Sequence, residues 1–284
     1  MWLPIHTPYK SGEGGVKVGL EPIQEPDWLE IDDLFDSEIE LKKDLYDSHF
    51  NDIHKEVKES YESQVELLDV LKAHLEQYHP NHKITSIADS LPLKYASLMV
   101  QEDLALMLPR GEEYFLGAAS LCAPSNWSLK EKFKSSLVGL HVHVPTYEKK
   151  IGSTVNNLFN NLPMQRIFQR FNWSVYEDPK LFQPARSKSQ IERSRTITED
   201  NAGDRLFIRV ERQTIRRLPE TKAIVFTIRV HVNPLLSIKK DLSLLTDLDK
   251  ALENLTQDMK KYKSIDQIEV PLRGWLEKEI KNFG

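Results

Sequence analysis

Apolar positions fall at helical spacing over the first third of the chain. "DWLEIDDLFDSEIELKKDLYDSHFNDIHKEV" opens the pattern with Leu29, Ile31, Leu34 and Phe35. "SYESQVELLDVLKAHLEQY" continues it through Val65, Leu68, Leu71 and Leu75, a period that lines one face of a helix. The pattern predicts helix from residue 28 to about 78, where "HPNHK" breaks it. Residues 93–108 read as a short helical or mixed segment, and the small apolar run "YFLGAASLCAP" (114–124) as a strand. "SNWSLKEKF" reads as a short helix capped by Ser125 or Ser128, and "GSTVNNLFNNL" (152–162) as a helix with Val155, Leu158, Phe159 and Leu162 on one side.

The period then changes from helical to alternating. In "DRLFIRVERQTIRRLPETKAIVFTIRVHV" (204–232) two β-rich runs flank "RLPET", which predicts an antiparallel hairpin. On the first arm Leu206, Ile208 and Val210 alternate with Phe207, Arg209 and Glu211. On the second, Ile224, Phe226, Ile228, Val230 and Val232 share one face, and Val225, Thr227, Arg229 and His231 the other. A helix over about 243–262 and an amphipathic turn in "PLRGWLEKEI" follow, while "ARSKSQIERSR" (185–195) reads as a loop. Residues 1–27, rich in Gly and Pro, predict an extended arm, and residues 28–284 one domain. The class is α+β, an antiparallel sheet with helices toward both ends of the chain.

Composition narrows the function. The chain has 284 residues and a net charge of −5, so phosphate backbones are repelled and nucleic acid is not an expected partner. No stretch approaches the ~20 apolar residues that span a bilayer, and the N-terminus lacks the charged and apolar regions of a signal peptide. Cys122 is the single cysteine, which excludes an internal disulfide, a cysteine-based zinc site and an iron–sulfur cluster. A cytoplasmic protein that does not enter membranes is expected. No dinucleotide fingerprint, Walker loop, H-E-x-x-H or G-x-S-x-G occurs. Asp32 and Asp33 read as a solvated helix face, and Cys122 as a small buried hydrophobe.

The residues that invite chemistry are in "GLHVHVPTY" (139–147), which holds two of the nine histidines, His141 and His143, in an apolar run. In an extended segment they point to opposite sides. Either one is a hydrogen-bonded core residue and the other faces water, or one binds a metal.

Five blocks settle a resemblance. "VQEDLALM" (100–107), "LCAPSNWSLKEKF" (121–133), "LHVHVPTY" (140–147), "RFNWSVYEDPKLF" (170–182) and "ERQTIRRLPETKAIVFTIR" (211–229) stand in the order of one family. Over roughly residues 20–280 the chain resembles the haem-dependent oxidative N-demethylase alpha-subunit family. The resemblance implies a PAS-type antiparallel sheet with added helices and a non-covalent haem b. It also implies oxidation of a small methylated amine such as dimethylamine, with O₂, to methylamine and formaldehyde. Electrons come in that family from NADPH through partner subunits carrying flavin and an iron–sulfur cluster. The family pattern around the histidine is approximately I-H-x-P-V-P-G-Y, so His141 matches while His143 and Thr146 replace a proline and a glycine. Lys134 also replaces a glycine, and "RVH" at 229–231 departs from R-T-Y.

A haem needs an axial ligand, an apolar cleft and cations for its propionates. On the resemblance His141 is the axial ligand, with His231 its rival. Arg212, Arg216, Arg217 and Arg229 are the cofactor-binding arginines, because a guanidinium fork pairs with a carboxylate at two points. The plainer reading pairs those arginines with acids such as Glu211 or Glu220. Trp127 and Trp173 wall a pocket or fill a core. Glu102 and Asp103 either meet a substrate ammonium or serve the fold. The alternative function is a haem-binding PAS-type sensor or carrier without turnover.

Overall fold

A computed structural model describes residues 3–12, 19–82, 91–111, 113–140 and 159–283. His141, His143 and the predicted helix up to residue 158 lie outside them. The long hairpin forms as its alternation predicts. β6 (Phe207–Arg217) pairs antiparallel with β7 (Ile224–Pro234), Arg212 opposite Arg229 and Val210 opposite His231. Leu218 closes the connector by donating its amide to Ala223 O at 2.8 Å, and Lys222 takes the positive φ of 62° there.

Around this hairpin the chain builds a seven-stranded sheet in the order β1-β5-β6-β7-β3-β4-β2. The other strands are β1 (Glu21–Ile23), β2 (His54–Glu56), β3 (Asp103–Arg110), β4 (Glu113–Ser120) and β5 (Ile167–Tyr176). Every pairing is antiparallel. β4 is the strand expected within 114–124, whereas the segment 93–108, read as helical or mixed, divides into a helix at Pro92–Ser97 and β3. Gly117 lets β3 and β4 close, since a Cβ there would sit 2.4 Å from Leu108 Cδ1.

Three helical expectations change. The run from 28 to 78 divides into helices Phe35–Ser48 and Tyr61–Tyr78 with β2 between them. The sheet's need for an edge overrides local propensity here: β2 pairs with β4, and Leu121 N donates to Ile53 O at 2.8 Å. The stretch read as a loop contains a helix, Lys188–Arg195. Ser187 accepts from Gln190 N and Gln190 reaches back to Ser187 N, so a capping box starts it. The C-terminal helix ends at Glu253; Thr256 then caps a short helix, and Glu269–Lys281 forms a longer one than expected.

The alternation of β7 sorts the core. Val225 lies in a cluster with Leu104, Leu106, Leu67, Leu71 and Trp28, under the N-terminal helices. Farther along the same sheet face, Ile208, Val210 and Trp173 pack against Leu245, Leu248 and Trp275 of the C-terminal helices. Ile224, Phe226 and Ile228 belong to the opposite face, with Met107, Ile215 and Phe168. So one face carries two helical layers that meet along a polar seam, and the other carries a separate apolar floor. No helix among the described residues is long and apolar enough to cross a membrane.

Candidate functional site

The seam is where most of the expected site residues go. Arg229 is buried and splits its guanidinium between Asp32 Oδ2 (2.7 Å) and Glu38 Oε2 (2.8 Å). Burial disfavours its charge, but Glu38, Glu102 and Asp32 outweigh that and hold its pKa above the usual value. Asp32 shifts the opposite way: burial raises its pKa, and the Gln101 hydrogen bond and the Arg229 charge bring it below normal. Arg212 donates through Nε to Gln169 Oε1 (3.0 Å) and through its terminal nitrogens to the carbonyls of Trp28 and Asp27. Its Nε is also 3.6 Å from Glu30 Oε1. Arg216 donates to Glu25 Oε1 at 2.7 Å and lies 4.2 Å over the Trp28 ring. These three arginines therefore meet acids of the N-terminal segment, not Glu211 or Glu220.

His231 stands on the same face. Its Nε2 is 2.9 Å from Glu30 Oε2, and His6 Nε2 is 2.7 Å from Glu30 Oε1. Burial pushes the Glu30 carboxyl up, but hydrogen bonds from both imidazoles and the Arg212 charge pull it well below the carboxylate range. Glu102 and Asp103 are buried and serve the fold. Glu102 accepts from Glu30 N (2.9 Å), and Asp103 accepts from Cys122 N (2.7 Å) and Ala123 N (2.8 Å). Burial raises the pKa of both, and it pushes the Cys122 thiol up to about 12, an unreactive value at neutral pH.

The opposite face has different chemistry. Ala105, Phe168, Phe226, Ile228, Trp127 and Leu140 pack there and stay partly exposed. Arg217, alone of the four arginines, belongs to this face. Nε donates to Leu162 O (3.1 Å) and Nη1 to Tyr114 Oη (2.9 Å), and Nη2 reaches Phe159 O. Its partners among the described residues are carbonyls and a hydroxyl, so no carboxylate neutralises it there.

Along β6 this floor runs into a polar edge. Ile215 lies between Phe168 and Phe226, Gln213 between Arg170 and Ile228, and Glu211 between Asn172 and Val230. Glu211 accepts from Ser125 Oγ, from Gln213 Nε2 (2.9 Å) and from Asn172 Nδ2 (3.5 Å). Sequence reading missed Glu211 as a site residue. The signal was an acid on the strand face that also carries Phe207 and Arg209.

Behind that edge Lys263 donates to Asn172 Oδ1 at 2.8 Å and to Trp173 O. Burial pushes its amine down to about 8, with the Glu211 charge working against the shift and Arg170 adding to it. The unfolded chain, with an ordinary value of 10.5, then binds the extra proton between pH 8 and 10.5. The group's contribution to stability therefore rises with pH through that window. Urea unfolding of wild type and Lys263→Met should show the difference moving in favour of the wild type by up to about 3 kcal/mol from pH 8 to 10.5. A pH-independent difference would contradict the depressed value.

A porphyrin needs an apolar bed, and the partly exposed floor provides one. The axial nitrogen expected from His141 falls outside the described residues, directly after Leu140 of the floor. On the seam, His231 Nε2 is engaged by Glu30 Oε2 at 2.9 Å, and one ligand atom each of His231, Glu30 and His6 lies within 4.8 Å of the others. Residues 82–272 match the family model described as haem-dependent oxidative N-demethylase, alpha subunit-like, a span narrower than the 20–280 expected from the motifs.

Proposed function

The chain belongs to the haem-dependent oxidative N-demethylase, alpha subunit-like family, and from that premise we propose that it binds haem b on the apolar floor and oxidises a small methylated amine. The observation that carries the reading is the floor itself. Phe168, Phe226 and Ile228 are partly exposed apolar side chains on the middle strands of a sheet, next to Leu140. A flat apolar ring would remove that area from water at roughly 25 cal/mol per Å².

In this reading His141 supplies the axial nitrogen. Arg217, on the floor side and without a carboxylate partner among the described residues, is the arginine suited to a propionate. Arg212, Arg216 and Arg229 hold the seam instead, with the sheet between them and the floor. A PAS-type sheet is part of the proposal. Counted in chain order without the two three-residue edge strands, the long strands run 2-1-5-4-3 across the sheet, the order of that fold.

Bound haem supplies oxygen activation, with electrons delivered by a flavin and iron–sulfur partner, because one cysteine cannot hold a cluster. The chain's own residues do the rest. The Glu211 carboxylate pairs with the ammonium of a dimethylamine-like substrate, and Asn172 and Gln213 fix that carboxylate's orientation. The methyl groups then lie toward Ile228 and the floor. Lys263, with its amine near neutrality at about 8, holds a proton at Nζ beside Asn172.

The purified protein is expected to show a Soret band that shifts with CO after reduction, and to release formaldehyde from dimethylamine with an artificial reductant. Glu211→Gln should lower kcat/KM about 10- to 100-fold, the value of a hydrogen bond to a charged group. Protein that stays colourless in a haem titration would overturn the whole reading. A Soret band without formaldehyde from any small methylamine would favour the sensor or carrier.

A further inference from the structure

We propose that His6, Glu30 and His231 form a second site, for a divalent transition-metal ion of the zinc class, on the face away from the apolar floor. The proposal goes beyond the haem reading and does not depend on it. Three donors come from three separate segments: His6 from the N-terminal arm, Glu30 from the stretch before the first helix, and His231 from β7. His6 Nε2 and Glu30 Oε1 are 2.7 Å apart, His231 Nε2 and Glu30 Oε2 2.9 Å, and one ligand atom from each residue lies within 4.8 Å of the others. Zinc–nitrogen and zinc–oxygen bonds of about 2.0–2.2 Å in a tetrahedron set ligand atoms about 3.3–3.5 Å apart. That spacing falls between the two contacts and the outer limit, so side-chain shifts of under about an ångström admit the ion.

The donor set selects the metal. Two imidazoles and one carboxylate suit zinc, cobalt, iron and copper, whereas calcium and magnesium take oxygen. The side chains of His6, Glu30 and His231 are 19%, 24% and 10% exposed, which leaves a path for water as a fourth ligand. The surroundings hold the donors in place. The His6 ring packs at 4.9 Å against Phe171 and 5.1 Å against His231, and Glu30 N is fixed on Glu102. Arg212 opposes a cation, but its Nε is 3.6 Å from Glu30 and its donors are directed to Gln169, Asp27 and Trp28. His6 and Glu30 precede the matched span 82–272, so the family match does not assign this site. A bound ion would staple the arm across the seam between the two helical layers.

The test uses the full chain as purified, treated with a chelator and titrated with Co²⁺ and separately with Zn²⁺ at pH 7.5. Expected are one equivalent of tight binding and cobalt d–d bands in the difference spectrum. His6→Asn and His231→Asn should each weaken binding at least tenfold while retaining the far-ultraviolet circular dichroism of the wild type. X-ray absorption at the zinc edge of the wild-type protein needs no variant and should read two imidazoles with oxygen ligands. No stoichiometric binding, fewer than two imidazoles, or unchanged affinity in both variants would overturn the site.

Discussion

His141→Ala is expected to lose haem retention while the protein stays folded. Wild-type protein carried through gel filtration should keep its Soret absorbance, and the variant should emerge with less than about a hundredth of it, the loss of an axial ligand bond removing several kcal/mol of affinity. Far-ultraviolet circular dichroism should match, because the seven-stranded sheet and the apolar clusters packed on it are built from the described residues, which do not include His141. External imidazole should restore part of the absorbance. If His141→Ala holds haem normally and His231→Ala does not, the ligand is on the seam and the floor is not the haem bed.

The largest effect on stability is expected from Arg229. Its removal leaves Asp32 and Glu38, bridged by Gln101 at 2.9 Å to each, without their shared cation. Breaking a buried pair from one side costs about 3–5 kcal/mol, because the surviving charge stays buried unpaired. Arg229→Ala should therefore lower the free energy of urea unfolding by that amount, and Arg229→Lys by less, keeping the charge but losing the two-point fork. Asp32 adds a pH signature. Its depressed pKa contributes stability that is present above its ordinary value of 3.8 and lost as pH falls below it. That acid sensitivity should shrink in Arg229→Ala, and an unfolding shift below 1 kcal/mol would show the pair to be screened by water.

The parts of the fold that were legible in the sequence are those governed by near neighbours. Period-two alternation in 204–232 placed both strands of the hairpin and sorted Ile224, Phe226 and Ile228 from Val225, Thr227, Arg229 and His231 onto the faces they occupy. β2 was not legible because its three residues are strand only through pairing with β4, far along the chain. The helix at Lys188–Arg195 was legible in principle, through Ser187 and Gln190 three residues apart, but a basic, polar run hides the signal. The arginines show the same limit at the site. Their strand positions were readable, whereas their partners at Glu25, Glu30, Asp32 and Glu38 come from almost 200 residues earlier. His6 and Glu30 gave no local sign of meeting His231.

The two rims of the sheet carry a consequence for assembly. Each outermost strand is three residues long, one containing Pro22 and the other Lys55. A proline lacks the amide that a docking strand would need, and a lysine in so short a ladder discourages pairing with a neighbour. Among the described residues, neither rim therefore offers another polypeptide a long template for backbone addition. A further subunit, of the kind an alpha subunit-like family suggests, would have to seat on side chains of helices or loops, and its recognition would be written in surface shape and charge rather than in main-chain hydrogen bonds.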